Sequence, residues 1–286
     1  MDKKVLVGIG IGGVVALALG GKAIASHLAK KEVDKAIAEV SEFVEVDYKK
    51  VDQSILGRGT KVKDVSITPV GTGDTIEVDE IVLYDFDQKD DVPTYMNFAI
   101  NGIELDLAKM EENGANLTEL GYEGMLSGDF STEYEYEEES QTVRLKKIEM
   151  GAEDFGTLEF NMELANVNLD EDAIATFPLS LFGAEFINAK VTYEDDSFVE
   201  RILKSGAESQ DITLEEAKEA LIEDLESQAE SEALPANFVA EMKEFINNPD
   251  SFSMTFSPEQ PVPFSSFLEL NTPEEIVDRL NISFES

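Results

Sequence analysis

The sequence predicts an α+β protein: an N-terminal transmembrane helix, then a long curved antiparallel sheet running as a meander, with a C-terminal helical segment packed on it. Three observations predict it. Residues 5–21 carry no charge, and with Lys22 and residues 23–29 the run reaches about the length that spans a bilayer. From Val46 onward apolar residues recur at every second position, the period of half-buried strands. After Asp195 the period becomes helical. The boundaries follow: 1–29 a signal anchor, 30–44 a juxtamembrane helix, and 45–286 an acidic extracytoplasmic domain. That domain reads as mainly β over 45–195, mainly helical over 196–248, and a short β/α/β end over 249–286.

The opening residues Asp2, Lys3 and Lys4 form the short tail with which signal anchors begin. Basic residues flank both ends of the run, Lys3 and Lys4 on one side and Lys22, Lys30, Lys31 and Lys35 on the other. Orientation therefore rests on the short tail and on the ability of long acidic domains to translocate regardless of charge. The expected location is a bacterial inner membrane, single-pass, with the N-terminus cytoplasmic and the domain periplasmic. A cleaved signal peptide ending at Ala23-Ile24-Ala25 is the alternative, and the apolar length favours the anchor. The stretch Gly8-Ile9-Gly10-Ile11-Gly12-Gly13 imitates a dinucleotide-binding turn. A second strand ending in a ribose-binding acid is missing, because Asp34 falls in Lys30–Val44, where Val33, Ile37, Val40 and Val44 have helical spacing. The glycines suit a small-residue face for helix packing in lipid instead. His27, the only histidine, reads as a boundary residue.

Strands are expected at Val65 and Ile67, at Ile76 and Val78, over Met96, Phe98 and Ile100, and over Ile103, Leu105 and Leu107. Pro69 to Gly73 and Asn101-Gly102 supply turns between them. Phe130, Tyr134 and Tyr136 mark the next strand, then Val143 and Leu145, then Leu158, Phe160, Met162 and Leu164 with Val167 and Leu169, then Ala189, Val191 and Tyr193. Helices follow at Phe198, Ile202 and Leu203, at Leu214, Ala217, Leu221 and Leu225 behind the cap Thr213-Leu214-Glu215-Glu216, and over Phe238 to Ile246. Phe252, Met254 and Phe256 form a strand, Thr272 to Leu280 a short helix, and Ile282 to Phe284 a last strand.

Composition narrows function by exclusion. A formal net charge of -39, from 61 acids against 22 bases, argues against nucleic acid, since each phosphate contact needs a cation. Residues 1–63 hold eleven of those bases and eight acids, so the rest of the chain carries a net -42. Screening by salt or divalent cations offsets that self-repulsion. Without cysteine there is no disulfide, thiolate metal site or thiol nucleophile, and without tryptophan a sugar-stacking platform lacks its largest ring. Serine hydrolysis needs a histidine in the folded domain, and His27 lies outside it. No carboxylate pair stands out among so many.

Two clusters, Asp85, Asp87, Asp90 and Asp91, and Asn168, Asp170 and Asp172, resemble oxygen-rich cation sites, but neither has the glycine and bidentate acid of an EF-hand loop. Both read as turn acids. The run Glu133 to Glu139, interrupted by Tyr134 and Tyr136, reads as a strand with tyrosines inward and glutamates outward, discouraging sheet-to-sheet pairing. A basic protein partner docking on it is the functional alternative. No catalytic residue, cofactor or resident metal is expected.

Val46-Asp47-Tyr48-Lys49-Lys50-Val51-Asp52-Gln53-Ser54-Ile55-Leu56-Gly57, followed by Val65-Ser66-Ile67-Thr68-Pro69, resembles the opening of AsmA-like and YdgA-like bacterial envelope proteins. The stretches Leu120 to Tyr136, Val143 to Met150 and Phe155 to Leu164 look like the strand repeats of the YdgA-like group, and Tyr193 to Val199 opens the helical part. The resemblance implies a tethered periplasmic domain whose sheet offers an apolar concave face able to hold acyl chains. The lining residues it implies are Phe98, Ile100, Leu158, Phe160, Met162 and Leu164. The expected function is a membrane-anchored, non-enzymatic envelope protein that binds lipid acyl chains in a β groove for envelope maintenance or lipid handling. The alternative is an acidic protein-interaction scaffold with a closed core and no lipid site. The helices folding onto the sheet would make that closed core.

Overall fold

The computed structural model describes residues 30–53, 59–71, 75–87, 94–107, 117–169, 183–232, 234–269 and 272–286. They form a mostly antiparallel β structure of eleven strands with a few helices. The chain divides into two compact units: Met1–Leu117, Tyr122–Glu138 and Leu145–Ala152, and then Thr118–Gly121, Glu139–Arg144 and Glu153–Ser286.

The first unit holds helix α1 (Lys30–Val40) and strands β1 (Val44–Gln53), β2 (Thr60–Pro69), β3 (Ile76–Asp87), β4 (Tyr95–Asp106) and β5 (Met125–Glu137), each strand antiparallel to the next. Strand β6 (Thr142–Ala152) contributes residues 145–152. Two apolar rows cross β1 to β4: Val51–Val62–Ile81–Ile100 and Tyr48–Val65–Val78–Ile103. In every strand the rows lie three residues apart, not two, yet both join one core. The chain makes up the odd residue locally. Asp64 adopts a left-handed φ of 52° and Gly102 one of 66°, and the β4–β5 register slips between Ile100 and Ile103.

Asn101-Gly102 is therefore a bulge inside one strand, not the turn the sequence suggests. A two-residue hairpin needs its flanks to pair with each other, whereas here both flanks pair with β3 and β5. The Gly102 N–H donates to Asp129 Oδ1 at 2.8 Å, and a Cβ there would lie 2.3 Å from Asp79 Oδ2.

The core of this unit is covered by α1, whose Val33 is fully buried (0% exposed) and whose Val40 is buried too, against Val44, Val65 and Ile67. Ile37 packs on the same cluster. The helix is shorter than the expected 30–44. It ends at Val40 with the Phe43 N–H donating to the Val40 carbonyl, and Val44 already starts β1. A polar clasp holds its outer side: Lys30 Nζ donates to Asp34 at 2.8 Å and to Tyr48 Oη at 3.0 Å, and the Tyr48 hydroxyl donates to Asp34.

The second unit holds β7 (Gly156–Ala165), β8 (Glu185–Asp195), helices α2 (Phe198–Gln210), α3 (Leu214–Glu232) and α4 (Ala236–Asn247), strand β9 (Ser251–Phe256), the two-residue β10 (Val262–Pro263), a 3-10 turn (Phe264–Glu269), helix α5 (Pro273–Leu280) and β11 (Ile282–Glu285). The pairing order is β7–β8–β9–β11, with β10 beside β8. Local chemistry sets the helix ends. Asp195 Oδ1 accepts from the Val199 N–H at the start of α2, and Asp211 closes α2 in the left-handed region. Thr213 and Glu216 form the reciprocal capping box at α3: the Glu216 N–H donates to Thr213 Oγ1 at 3.2 Å and the Thr213 N–H to Glu216 Oε2 at 2.8 Å. Thr272 caps α5, with Pro273 in its first turn. Arg201 pins α2 in place by donating to Ser197 Oγ and to the Gly121 carbonyl, and it pairs with Asp154.

The expected fold class needs correction. Among the described residues no helix is long and apolar enough to cross a membrane. The longest helix, α3, has 19 residues and carries acids along its length, and α1 spends its apolar positions on the sheet. The transmembrane helix, the signal anchor and the single-pass inner-membrane, periplasmic placement are therefore withdrawn. The anchor at 1–29, with Gly8 to Gly13 and His27, lies outside the described residues.

Candidate functional site

Alternation places Leu158, Phe160 and Met162 of β7 on one face, and register carries that face across the second unit. Leu158 stands opposite Tyr193, which stands opposite Phe252. The next row is Phe160–Val191–Met254–Phe284, and the next Met162–Ala189–Phe256–Ile282. Both ends of this face are covered. Over Tyr193, Phe252 and Phe284 lies α4, with Phe245 edge-on to Tyr193 and near Phe252, and with Phe238 against Phe252 and Phe284, which leaves Leu158 of the first row outside these contacts. At the far end Phe186 meets Phe256 and, from the 3-10 turn, Phe267, each at 6.3 Å and near a right angle.

Between these covers the face stays partly open. Leu158 is 36% exposed, and Phe160, Met162, Val191, Met254, Phe256 and Ile282 are half-buried. The strip crosses four strands, about 14 Å at a spacing of about 4.8 Å per strand. Its content is apolar and adaptable, with two methionines able to follow an irregular ligand. The hydroxyl of Tyr193, on the first row, is engaged at 2.7 Å with both the Phe155 carbonyl and Asp195.

The six residues that the resemblance implies for a groove thus divide. Leu158, Phe160 and Met162 lie on the open strip. Leu164 is buried at its covered end, paired with Phe186. Phe98 and Ile100 belong to the first unit's core, 2% and 1% exposed. Sequence reasoning missed Val191, Met254, Phe256 and Ile282 on the strip. Their alternation was visible in the expected strands, but which strands stand side by side was not.

The first unit turns a charged face outward. Glu80, whose side chain is 20% exposed, accepts from Lys61 at 2.9 Å and from Asn101 at 3.1 Å, with Lys63 4.0 Å away. Burial alone raises its pKa, but the hydrogen bonds from Lys61 and Asn101 and the charges of Lys61 and Lys63 outweigh it, so the carboxyl sits below its ordinary value. A depressed carboxylate stabilises the fold fully above the ordinary glutamate range and loses that contribution as pH falls through the lowered value. Urea midpoints measured down a pH series are expected to fall less steeply on the acid side for Glu80→Gln than for the native chain. Parallel curves would show that the bonds of Glu80 to Lys61 and Asn101 contribute nothing.

The acidic strand has a partner within its own unit. Lys146 reaches Glu135 at 2.9 Å and Glu133 at 3.3 Å and lies 5.4 Å from the Tyr95 ring centroid. Burial pushes the Tyr134 hydroxyl far above its ordinary value, with neighbouring Tyr136 adding to it. Of the two suggested cation clusters, Asp85 and Asp87 are exposed on β3 and Asn168 is exposed, while Asp90, Asp91, Asp170 and Asp172 lie outside the described residues. Among the described residues no three His, Cys, Asp or Glu converge as a metal-binding group.

Residues 148–286 match the model of a family described as an uncharacterized protein. The matched stretch takes in β7 to β11 and all the helices of the second unit, and so the whole apolar strip. No curated protein matches the chain.

Proposed function

We propose that the second unit binds an elongated apolar ligand, of the acyl-chain class, along the strip of β7, β8, β9 and β11. The observation that carries this is the half-exposure of Leu158, Phe160, Met162, Val191 and Met254 on one continuous face that is closed at both ends. Soluble domains ordinarily cover such contiguous apolar surface, and where they leave it open it marks a binding site. The AsmA-like and YdgA-like resemblance points the same way. The surroundings select the head group: in a chain of net charge -39 an anionic head group is repelled, so a neutral or zwitterionic lipid fits best. The role is one of holding lipid, without chemistry on it.

The test uses the full chain and a pyrene-labelled lysophosphatidylcholine below its micelle concentration. Saturable fluorescence enhancement is expected, and the double variant Phe160→Gln, Met254→Gln is expected to weaken it at least tenfold while keeping the native circular dichroism. Absence of binding, or equal binding by the double variant, defeats the proposal.

A further inference from the structure

Helices α2 and α3 form an antiparallel hairpin through Asp211, Ile212 and Thr213. Ile202 lies ten residues before Ile212 and Leu221 nine residues after it, so the two stand at the same height of the hairpin. Each is 43% exposed. Leu221 belongs to the stripe Leu214, Ala217, Leu221, Leu225, and a stripe at that spacing is the core face of an amphipathic helix. Here its cover is partial: Leu214, Ala217 and Leu225 are half-buried and Leu221 is exposed, and among the described side chains of α3 not one is buried, in contrast with Leu203 and Ala207 of α2 and Phe245 and Ile246 of α4. Single exposed leucines are ordinary. A 19-residue helix with none of its described side chains buried, beside a second exposed aliphatic residue at its own level, is a face short of a layer.

The charge around that face says what the layer is. Glu215, Glu216, Glu219, Glu223, Asp224 and Glu226 of α3 are all exposed. The cations of the hairpin are engaged by groups of the same unit. Lys218 donates to the Asn247 carbonyl at 2.8 Å, Lys204 pairs with Glu200, and Arg201 with Asp154 and the Gly121 carbonyl. Lys243 of α4 takes up Glu226. The remaining acids lie on the helix that carries Leu221, and a second copy of the chain would bring the same sign of charge against them.

We infer that the α2–α3 hairpin docks a cationic amphipathic helix of a partner protein, its aliphatic ridge on Ile202 and Leu221 and its lysines or arginines against the acids of α3. Two antiparallel helices offer the groove into which the ridge of a third helix packs. This is the acidic-scaffold expectation confined to one surface, and it is separate from the lipid strip.

The experiment measures fluorescence anisotropy of a labelled Leu/Lys peptide with helical repeat, and of a scrambled peptide of the same composition, against the full chain at physiological salt. The helical peptide is expected to bind at least tenfold more tightly than the scrambled one, and the double variant Ile202→Ser, Leu221→Ser is expected to erase that preference. Both positions are surface residues, so the unfolding midpoint of the variant checks that it is folded. Equal binding of the two peptides by the native chain overturns the inference, as a polyanion alone gives that result. So does a preference that survives the substitutions. A native chain that sediments as a dimer, converted to monomer by the double variant, also overturns it by making a second copy the occupant.

Discussion

Gly156→Ala is expected to unfold the second unit at moderate urea, with a stability loss of about 4 kcal/mol from backbone strain and overpacking together. Gly156 opens β7 at a φ of 120°, where side-chain-bearing residues are rarely found. A Cβ at that position would lie 2.1 Å from the Glu194 carbonyl oxygen, 3.1 Å from Tyr193 Oη and 3.2 Å from Asp195 Cα. None of the three can step aside cheaply. The Glu194 carbonyl is backbone within β8, the Tyr193 hydroxyl is fixed by Phe155 and Asp195, and Asp195 supports the start of α2. Gly71→Ala is the matched control. Its φ of 86° is equally left-handed, but nothing lies within 4 Å of the added atom, so only the conformational cost of about 1 kcal/mol applies. Urea unfolding followed by circular dichroism separates the two. If both glycines cost the same, the close approach of β7 and β8 at Gly156 is wrong.

The second large effect belongs to α1. Val33→Asp places a carboxylate where the native side chain is fully buried among Val40, Val44, Val65 and Ile67. With no cation in that cluster to pair with, the expected loss is about 3 kcal/mol or more, split between the burial of charge and the undocking of the helix. Lys35→Asp, an exposed position on the same helix, changes charge equally and is expected to leave the midpoint nearly unchanged. Hydrogen exchange adds a direct readout: amides of β1 and β2 are expected to lose protection in Val33→Asp. Wild-type protection in that variant would mean that α1 does not cover the first unit's sheet.

Strands and helices were largely legible because their signals are local. Val65 and Ile67, Phe252 to Phe256, the Thr213–Glu216 box and the Thr272 cap each declare an element within a few residues, and each element is present. What failed depended on distant partners. Asn101-Gly102 has turn chemistry, and only the pairing of its two flanks with β3 and β5 makes it a bulge. The three-residue spacing between Val62 and Val65, or Val78 and Ile81, breaks strict alternation, so a reading by period two ends a strand that in fact continues.

The groove residues failed in part for the same reason. Phe98 and Leu158 are alike in pattern, but one lies under α1's core and the other on an open strip, a difference set by what packs above them. Of the helices expected to cover the sheet, α4 does so on β8, β9 and β11 of its own unit. The cover of the first unit comes from α1, whose amphipathic spacing was seen but assigned to a membrane-proximal position. The length of the apolar run at 1–29 says how far a segment reaches and not what it does.

The order of the strands has a consequence for how the molecule assembles. From β1 to β4 each strand pairs with its successor across six or seven residues, and β4 with β5 across eighteen, so the first closures lose little entropy. Such a sheet zips hairpin by hairpin, and fast, for a β structure. The β8–β9 pairing is different, because residues 198–247 of α2, α3 and α4 intervene before Ser251 can meet Glu194. During synthesis β7 and β8 therefore stand with Phe160, Met162 and Val191 uncovered until some fifty more residues have emerged. Apolar surface left open over such an interval is prone to aggregation, and the acids of α3, which emerge within it, oppose association by charge repulsion.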